Sequence, residues 1–321
     1  MSQINTYLFK RLKTLPFGLF DLMVKYSKVN NVKIAIVGGY IRDLLIKNFH
    51  IKGNSNYTDL DVVIEGSAIS LAKFIKKNIR DVELCLIKEF DIYNTVELNI
   101  ETLKVDIASA RKEYYLKPGL NPSVIDSTIK EDLKRRDFSI NAIAFEIKEQ
   151  KLYDLFDGLN HIKNKELHFL HINSVKDDPS RILRGAKYAS RLKFNISETS
   201  LLQSKKFISQ WPWKYSESDC KSNFPPGISI RLRMELAEIF KNDNLLETIS
   251  CLYKWDVISL INKDMKVNRK FLRGLSWIKK LNGNIMLYLL KDSESLEIEF
   301  DRFFINTKER AILKDYFKFK K

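Results

Sequence analysis

Cysteine is scarce in this 321-residue chain, and Cys85, Cys220 and Cys251 are odd in number and far apart. That spacing offers neither a disulfide framework nor a zinc motif, and it predicts a reducing, cytoplasmic setting. Histidine is equally scarce: His50, His161, His168 and His171 form no H-E-x-x-H pattern, which argues against a histidine-built metal centre. No apolar run reaches the roughly 20 residues that a bilayer-spanning helix requires. The first twenty residues lack a signal-peptide core and a small-residue cleavage site. No membrane partner is therefore expected. Internal repeats and low-complexity blocks are absent from the sequence.

Positive charge, by contrast, is abundant. Lysine and arginine number 55 against 40 acids, for a net charge of +15. Such an excess attracts polyanions, nucleic acid first among them; a lysine-rich solvated surface is the competing reading. An apolar fraction of 45% supports hydrophobic cores, and the length suits about two or three domains.

The hydrophobic period changes along the chain. Residues 32–39 (VKIAIVGG) read as a strand ending in two glycines, and residues 40–49 (YIRDLLIKNF) carry helical spacing. Residues 50–57 are polar and read as a loop. LDVVIE is a strand, and Ser67 is placed to cap the helix that follows. DVELCLI, DIYNTVELNI and LKVDIAS read as three further strands of one sheet, antiparallel in this part. Residues 112–124 (KEYYLKPGLNPSV) read as a loop, and helical patterning is expected to resume over 129–145 (IKEDLKRRDFSINAIAF). Before this sheet, residues 1–30 read as a lead-in and one helix over 17–27. Beyond Asp177 the period is helical nearly to the end. The expected division is a sheet-bearing head over 1–170 and a helical remainder, split into 171–240 and 241–321.

Within TDLDVVIEG, Asp59 and Asp61 are two residues apart on a strand and face one side. Like charges so close repel. A divalent cation relieves the repulsion, and Mg²⁺ favours hard oxygen ligands completed by substrate phosphates. Asp106, in LKVDIAS, completes a carboxylate cluster if its strand neighbours LDVVIE. The glycine pair permits a tight turn, and the helix start behind it offers free amides to phosphate. Arg42 can add a guanidinium fork, and Asp43 can pair with a neighbouring arginine to fix the turn. Asp137 and Asn141 are four apart and would share a helix face beside Arg136. Asp178, Arg181 and Arg184 recur at three-residue steps, with Pro179 suited to a first helical turn and Asp178 to its cap. Asp154 and Asp157, in YDLFDG, read as structural, the second with Gly158 forming a turn that sets head against neck.

Taken as a set, VGGYIRDLL, TDLDVVIEG, LKRRDFSINAIAF, LYDLFDGLNHIKNKEL and DDPSRILRGAKYASRLKF resemble, in order, the motifs of the class II tRNA nucleotidyltransferase and bacterial poly(A) polymerase family. The resemblance covers about residues 34–194 and thins afterwards, where RLRMEL looks like the family's helical motif. It implies an α+β fold: a polymerase-β-like nucleotidyltransferase head with a mixed sheet, then an all-helical neck, body and tail. It implies Asp59 and Asp61 as metal-binding acids with Asp106 the third catalytic carboxylate. Gly38, Gly39, Arg42, Arg136, Asp137 and Asn141 would meet triphosphate and ribose. Asp178 and Arg181 would present hydrogen bonds to the incoming base. From its place on the same stripe, Arg184 can support that pocket or hold phosphate. Two departures stand out: Ile230 replaces a usual acid, and Asp177 replaces a usual glutamate.

The activity so implied is Mg²⁺-dependent, template-independent addition of CMP and AMP, from CTP and ATP, to a tRNA 3′ end, with pyrophosphate released. A tethered Asp–Arg pair can satisfy the edge of cytosine or adenine and opposes the N1 donor of guanine. Partial CC or A addition, poly(A) synthesis, and a non-catalytic RNA-binding protein are the alternatives. The helical half would hold the tRNA acceptor end by its shape. Residues 211–214 (WPWK) can stack a base, although core packing is the usual fate of such aromatics. Lys318, Lys320 and Lys321 can touch RNA or merely solubilise the end. The sequence does not set an oligomeric state.

Overall fold

In the computed structural model the described residues are 3–50, 59–80, 82, 85–90, 94–115, 121–210, 226–294 and 296–320. Residues 211–214, Cys220 and Lys321 lie outside them, as do the side chains of Lys318 and Lys320. The chain divides into two compact units, Met1–Tyr114 with Pro122–Leu170, and Tyr115–Asn121 with His171–Lys321.

The first unit carries helices α1 (Gln3–Leu12), α2 (Leu19–Asn30), α3 (Gly39–His50) and α4 (Ala68–Asn78). Its strands begin with β1 (Ile34–Val37), β2 (Asp59–Ile64), β3 (Cys85–Phe90), β4 (Thr95–Ile100) and β5 (Leu103–Ser109). Then follow β6 (Arg111–Tyr114), β7 (Ser123–Asp126), α5 (Ile129–Lys134), β8 (Ile143–Glu146), β9 (Lys151–Asp154) and α6 (Gly158–Asn164). One seven-stranded sheet runs β3-β4-β5-β2-β1-β8-β9. β2 and β5 pair in parallel, whereas the other neighbours are antiparallel. The sheet is therefore mixed.

Alternation along the central strands decides what each face does. On β4 and β5, Val96, Leu98, Ile100, Leu103, Val105 and Ile107 are buried, and the residues between them are half-buried. Leu60 and Val62 join the apolar face in register with Val105 and Ile107. α3 packs on β1, β2 and β8, and α4 on β3, β4 and β5. The opposite face of β2, β5 and β4 is left polar. Ser67 caps α4 as its position suggests, its Oγ accepting from the Ser70 amide at 3.1 Å.

Three readings need correction. The lead-in contains α1, and the chain turns before α2 through Phe17, at φ 60°. Residues 112–124 are not all loop, since β6 and β7 pair as an antiparallel ladder from Arg111↔Asp126 to Tyr114↔Ser123. Residues 129–145 are not one helix: α5 ends at Lys134, a 3₁₀ turn covers Ser139–Asn141, and β8 begins at Ile143. The cause is tertiary. Phe138 bridges to Phe169, and the Ser139 amide donates to the His168 carbonyl at 3.0 Å, which holds Phe138 extended and ends any helix.

The second unit is helical: α7 (Ser174–Asp177), α8 (Ser180–Leu192), α9 (Glu198–Gln210), α10 (Pro226–Lys241) and α11 (Leu245–Lys254). It continues with α12 (Arg269–Lys280), α13 (Ile285–Leu290), α14 (Leu296–Arg302) and α15 (Thr307–Lys320). Buried Gly185, Ala186 and Ala189 on α8 allow α10 and α11 to approach closely. Ser190 Oγ and Thr248 Oγ1, 2.7 Å apart, tie α8 to α11 without leaving a buried hydroxyl unsatisfied. Among the described residues, no helix is long and apolar enough to cross a membrane.

Candidate active site

The glycine turn and the acidic strand are built against each other. Gly38 closes β1 at φ +73°, a conformation that costs a side-chain-bearing residue energy. A Cβ there would lie 2.5 Å from Asp61 Oδ2 and 3.3 Å from Arg136 Nη1. Glycine is thus required twice, for the turn and for the room. The chain then enters α3, and the Gly39 amide hydrogen-bonds the Asp61 carboxylate. A carboxylate at a helix N-terminus is favourably placed.

Strand register brings the three predicted acids to one polar face. Asp61 pairs across the ladder with Asp106, and Asp59 with Lys104. Asp59 is exposed and Asp61 half-buried. Burial pushes the Asp61 carboxyl above the usual carboxylate range. Arg136 pulls it down, Asp106 raises it further, and the Gly39 amide and Arg42 lower it. Lys104 Nζ bridges the next row, 3.0 Å from Asp106 Oδ2 and 3.2 Å from Glu97 Oε2. Glu97 lies opposite Asp106 on β4 and escaped the sequence reading. The alternation of VELNI would have placed it on the same face, but only the register makes it a neighbour.

Among the described residues no group of three or more His, Cys, Asp or Glu side chains is arranged to hold a metal ion. A Mg²⁺ ion needs only one or two carboxylates when substrate phosphates complete its shell. Two hard-oxygen donors on one strand face, one of them penalised by burial and by a like charge across the ladder, fit that requirement.

Beside this pair lie two polar networks. Buried Arg42 donates from Nε to Asp43 Oδ1 at 2.6 Å and from Nη1 to Asn141 Oδ1 at 2.7 Å. Asn141 Nδ2 donates to Asp137 Oδ1 at 3.0 Å, and that oxygen also accepts from the Phe138 amide at 2.7 Å. Asp137 and Asn141 therefore meet as expected, but through a 3₁₀ turn and not across a helix face. Arg136 Nη2 donates to Asp132 Oδ2 at 3.2 Å, while Arg135 holds the other oxygen. Burial alone would raise the Asp132 carboxyl, but Arg136 and Arg135 outweigh it and hold it below its ordinary value. Asp132 is a residue that the sequence reading missed, although its spacing in D-L-K-R-R was the available signal.

Behind the turn, Gly158 at the start of α6 presses on it. A Cβ on Gly158 would fall 2.5 Å from the Ser139 carbonyl oxygen and 2.8 Å from an Ile143 side-chain carbon. Asp154 accepts from the Gly158 and Leu159 amides at 2.7 and 2.9 Å, which confirms a structural part for this acid.

In the second unit, Asp178 precedes α8. Its Oδ1 accepts from the Ser180 amide at 3.1 Å and from Ser180 Oγ at 2.7 Å, so it caps the helix from the residue before Pro179. Arg231 Nε stands 3.3 Å from the same oxygen. Arg181 is buried. One turn on, Glu235 takes Lys187 at 2.9 Å and Arg184 at 3.5 Å. Ile230 is half exposed, and α10 meets α8 through Arg231 and Glu235 instead. Asp177 ends α7. His171 is pushed down to about 4 by burial and then by the charge of Arg181.

Residues 34–168 match the family model described as the poly A polymerase head domain. An A-adding tRNA nucleotidyltransferase of Aquifex aeolicus is 33% identical over 249 residues, covering 77% of this chain and 28% of that protein. The A-adding tRNA nucleotidyltransferase of Halalkalibacterium halodurans is 37% identical over 171 residues, 52% of this chain and 38% of its own length. The matched stretches thus span less than half of either relative. A CCA-adding enzyme solved in an apo form has the same fold, with a TM-score of 0.75 at 27% identity over 96% of this chain and 73% of that one.

Proposed function

Since the chain strongly resembles the class II tRNA nucleotidyltransferases in sequence and in fold, we propose that it adds nucleotides to the 3′ end of tRNA without a template. The substrates are CTP and ATP, and the full reaction is CCA addition. The RNA 3′-hydroxyl attacks the α-phosphorus of the incoming nucleotide. A P–O bond forms to the RNA oxygen, the bond to the bridging oxygen breaks, and pyrophosphate leaves.

The observation that carries this reading is the polar sheet face holding Asp61 beside Asp106, with Asp59 two residues before it. Asp59 and Asp61, with Asp106 as the third acid, would hold Mg²⁺, which supplies activation of the attacking hydroxyl and neutralises charge on the leaving group. Gly38 keeps the space before Asp61 open, and Arg136 offers its guanidinium at that space. The Gly38–Gly39 turn, with no side chains in the way, lets the triphosphate approach the backbone closely, while the Gly39 amide holds Asp61. Arg42 holds Asn141 and, through it, Asp137, which orients the two side chains assigned to ribose and triphosphate. In the second unit Asp178 and Arg181 present the acceptor and donors that read the base, and Arg184 supports them. We assign residues 171–240 to the neck and 241–321 to the body and tail that hold tRNA.

A-only addition is the second reading, favoured because both curated relatives named above are A-adding. Extension of tRNA transcripts ending before the first C, after one C and after CC, with CTP and ATP singly and together, separates them. Growth from the bare end to CCA establishes full addition. Use of ATP on the CC-ended transcript alone establishes A addition, and arrest at CC establishes CC addition. Long A tails on unrelated RNA point to poly(A) synthesis, and bound RNA with no incorporation points to a non-catalytic protein.

A further inference from the structure

Helix α12 carries a solvent-facing stripe that no step of the proposed chemistry uses. Lys270, Arg273, Trp277, Lys280 and, just past the helix end, Leu281 are all exposed. At about 100° per residue, these positions fall within an arc of about 100°. The buried residues Phe271 and Leu275 hold the opposite side of the helix in the core. Trp277 is 58% exposed, and Lys280 Nζ stands 5.6 Å from its ring centroid. A single open indole is ordinary on a protein surface, so its meaning rests on the charges set around it.

The local charge identifies the partner's sign. Between residues 266 and 291 the basic residues are Lys266, Arg269, Lys270, Arg273, Lys279, Lys280 and Lys291, and there is no acid. Among the described residues no ion pair engages Lys270, Arg273 or Lys280. Cations at helical spacing around an open aromatic suit a strand whose phosphates meet the charges while one base or ribose stacks on the ring. A protein partner would need complementary acids around an apolar patch, and the patch here is one indole and one leucine.

We propose that this α12 face is an RNA-docking surface. Lys270, Arg273 and Lys280 contact backbone phosphates and Trp277 offers a stacking platform. This rests on the reading that the protein works on RNA.

The test measures the affinity of the full chain for a tRNA transcript lacking CCA, as a function of salt. The variants are the triple Lys270→Glu, Arg273→Glu, Lys280→Glu; the milder triple to Gln; and Trp277→Ala. All four positions are exposed, and thermal melts matching the parent confirm folding. The Glu triple is expected to raise Kd more than tenfold and to lower the log–log salt slope by about two to three. Trp277→Ala is expected to raise Kd about tenfold and leave the slope unchanged. KM for ATP and the rate at saturating RNA stay at parental values. Unchanged RNA affinity and slope in both triples overturn the proposal, as does loss of binding to anionic phospholipid vesicles with RNA binding intact. If the parent incorporates no nucleotide yet binds RNA in a manner these variants weaken, the catalytic reading fails and the docking surface stands.

Discussion

The two units reach a fixed polar geometry by different routes. In the first, the network is short-range in the sheet: Asp61, Asp106, Glu97 and Lys104 are set by register, and each position follows from its neighbours on adjacent strands. In the second, Asp178 and Arg184 are held by Arg231 and Glu235 from a helix much later in the chain. A sheet face enforces spacing through backbone ladders, whereas two packed helices enforce it only through side chains. Damage to the first unit should therefore reach the chemistry itself. Damage to the second should reach the choice of nucleotide.

The largest expected effect is at Asp61. Asp61→Asn keeps the shape and removes the charge that faces Asp106, and incorporation of CMP and AMP should both fall by more than about a hundredfold, beyond the usual cost of losing an outer-shell partner. Single-turnover rates at several Mg²⁺ concentrations check this. A parental rate would break the assignment of chemistry to this face. Gly38→Ala comes next. The added methyl meets Asp61 Oδ2 at 2.5 Å and must also take φ +73°. Strain of about 1–2 kcal/mol and displacement of the carboxylate by a fraction of an ångström should lower the rate up to about a hundredfold. The loss should be equal for CTP and ATP, because both draw on one set of acids.

The difference between the units also governs what the sequence could disclose. Asp59 and Asp61 are legible because strand side chains alternate, so two residues with one between must share a face. Asp106 is legible as a position in LKVDIAS, while its pairing with Asp61 awaited the register. Glu97 was hidden for the same reason. Asp137 and Asn141 were placed together for a mistaken reason: four-residue spacing suggested a helix, and the Phe138–Phe169 bridge imposes an extended residue and a 3₁₀ turn that bring them together all the same. The helical second half was readable from the change of period, whereas the mixed sheet was an implication of the family resemblance and not of the pattern. Arg231 and Glu235 carry no signal of their partners, because nothing in a helix's own pattern states which other helix it will meet.

A smaller effect is expected at that helix contact, and it should differ in kind. Arg231→Ala removes the guanidinium 3.3 Å from Asp178 Oδ1. Asp178 keeps its cap to Ser180, so α8 still starts in place. The carboxylate proposed to read the base loses one lateral restraint. Discrimination of CTP and ATP against GTP and UTP, measured as ratios of kcat/KM, should narrow about tenfold, which corresponds to about 1.4 kcal/mol. The rate with the correct nucleotide should change less than that. Glu235→Gln should act in the same direction and more weakly, because Arg184 and Lys187 keep a hydrogen-bond acceptor. A uniform loss with all four nucleotides would place this helix with the first unit in function and erase the contrast.

The smallest effect concerns pH, and it too separates regions, now within the second unit. Burial, then the Arg181 charge, lowers the His171 imidazole to about 4 from an ordinary 6.5. The fold therefore favours neutral His171, a contribution fully present above about pH 6.5 and lost as pH falls through 4. Glu299 behaves oppositely. Burial pushes its carboxyl up to about 7, and Arg302 beside it pulls down without cancelling the rise. The fold favours the protonated acid, so that contribution is present below about pH 4.5 and lost as pH rises through 7. His171→Asn should thus flatten the acid limb of a melting-temperature profile between pH 6.5 and 4. Glu299→Gln should flatten the limb between pH 4.5 and 7, each by about 2–4 °C. Because His171 lies beside Arg181, only its variant should also shift the pH dependence of nucleotide choice; Glu299→Gln should leave that profile where it is. If both variants move it alike, titration acts through the stability of the helical unit as a whole, and the local coupling of His171 to Arg181, the arginine proposed to read the base, is wrong.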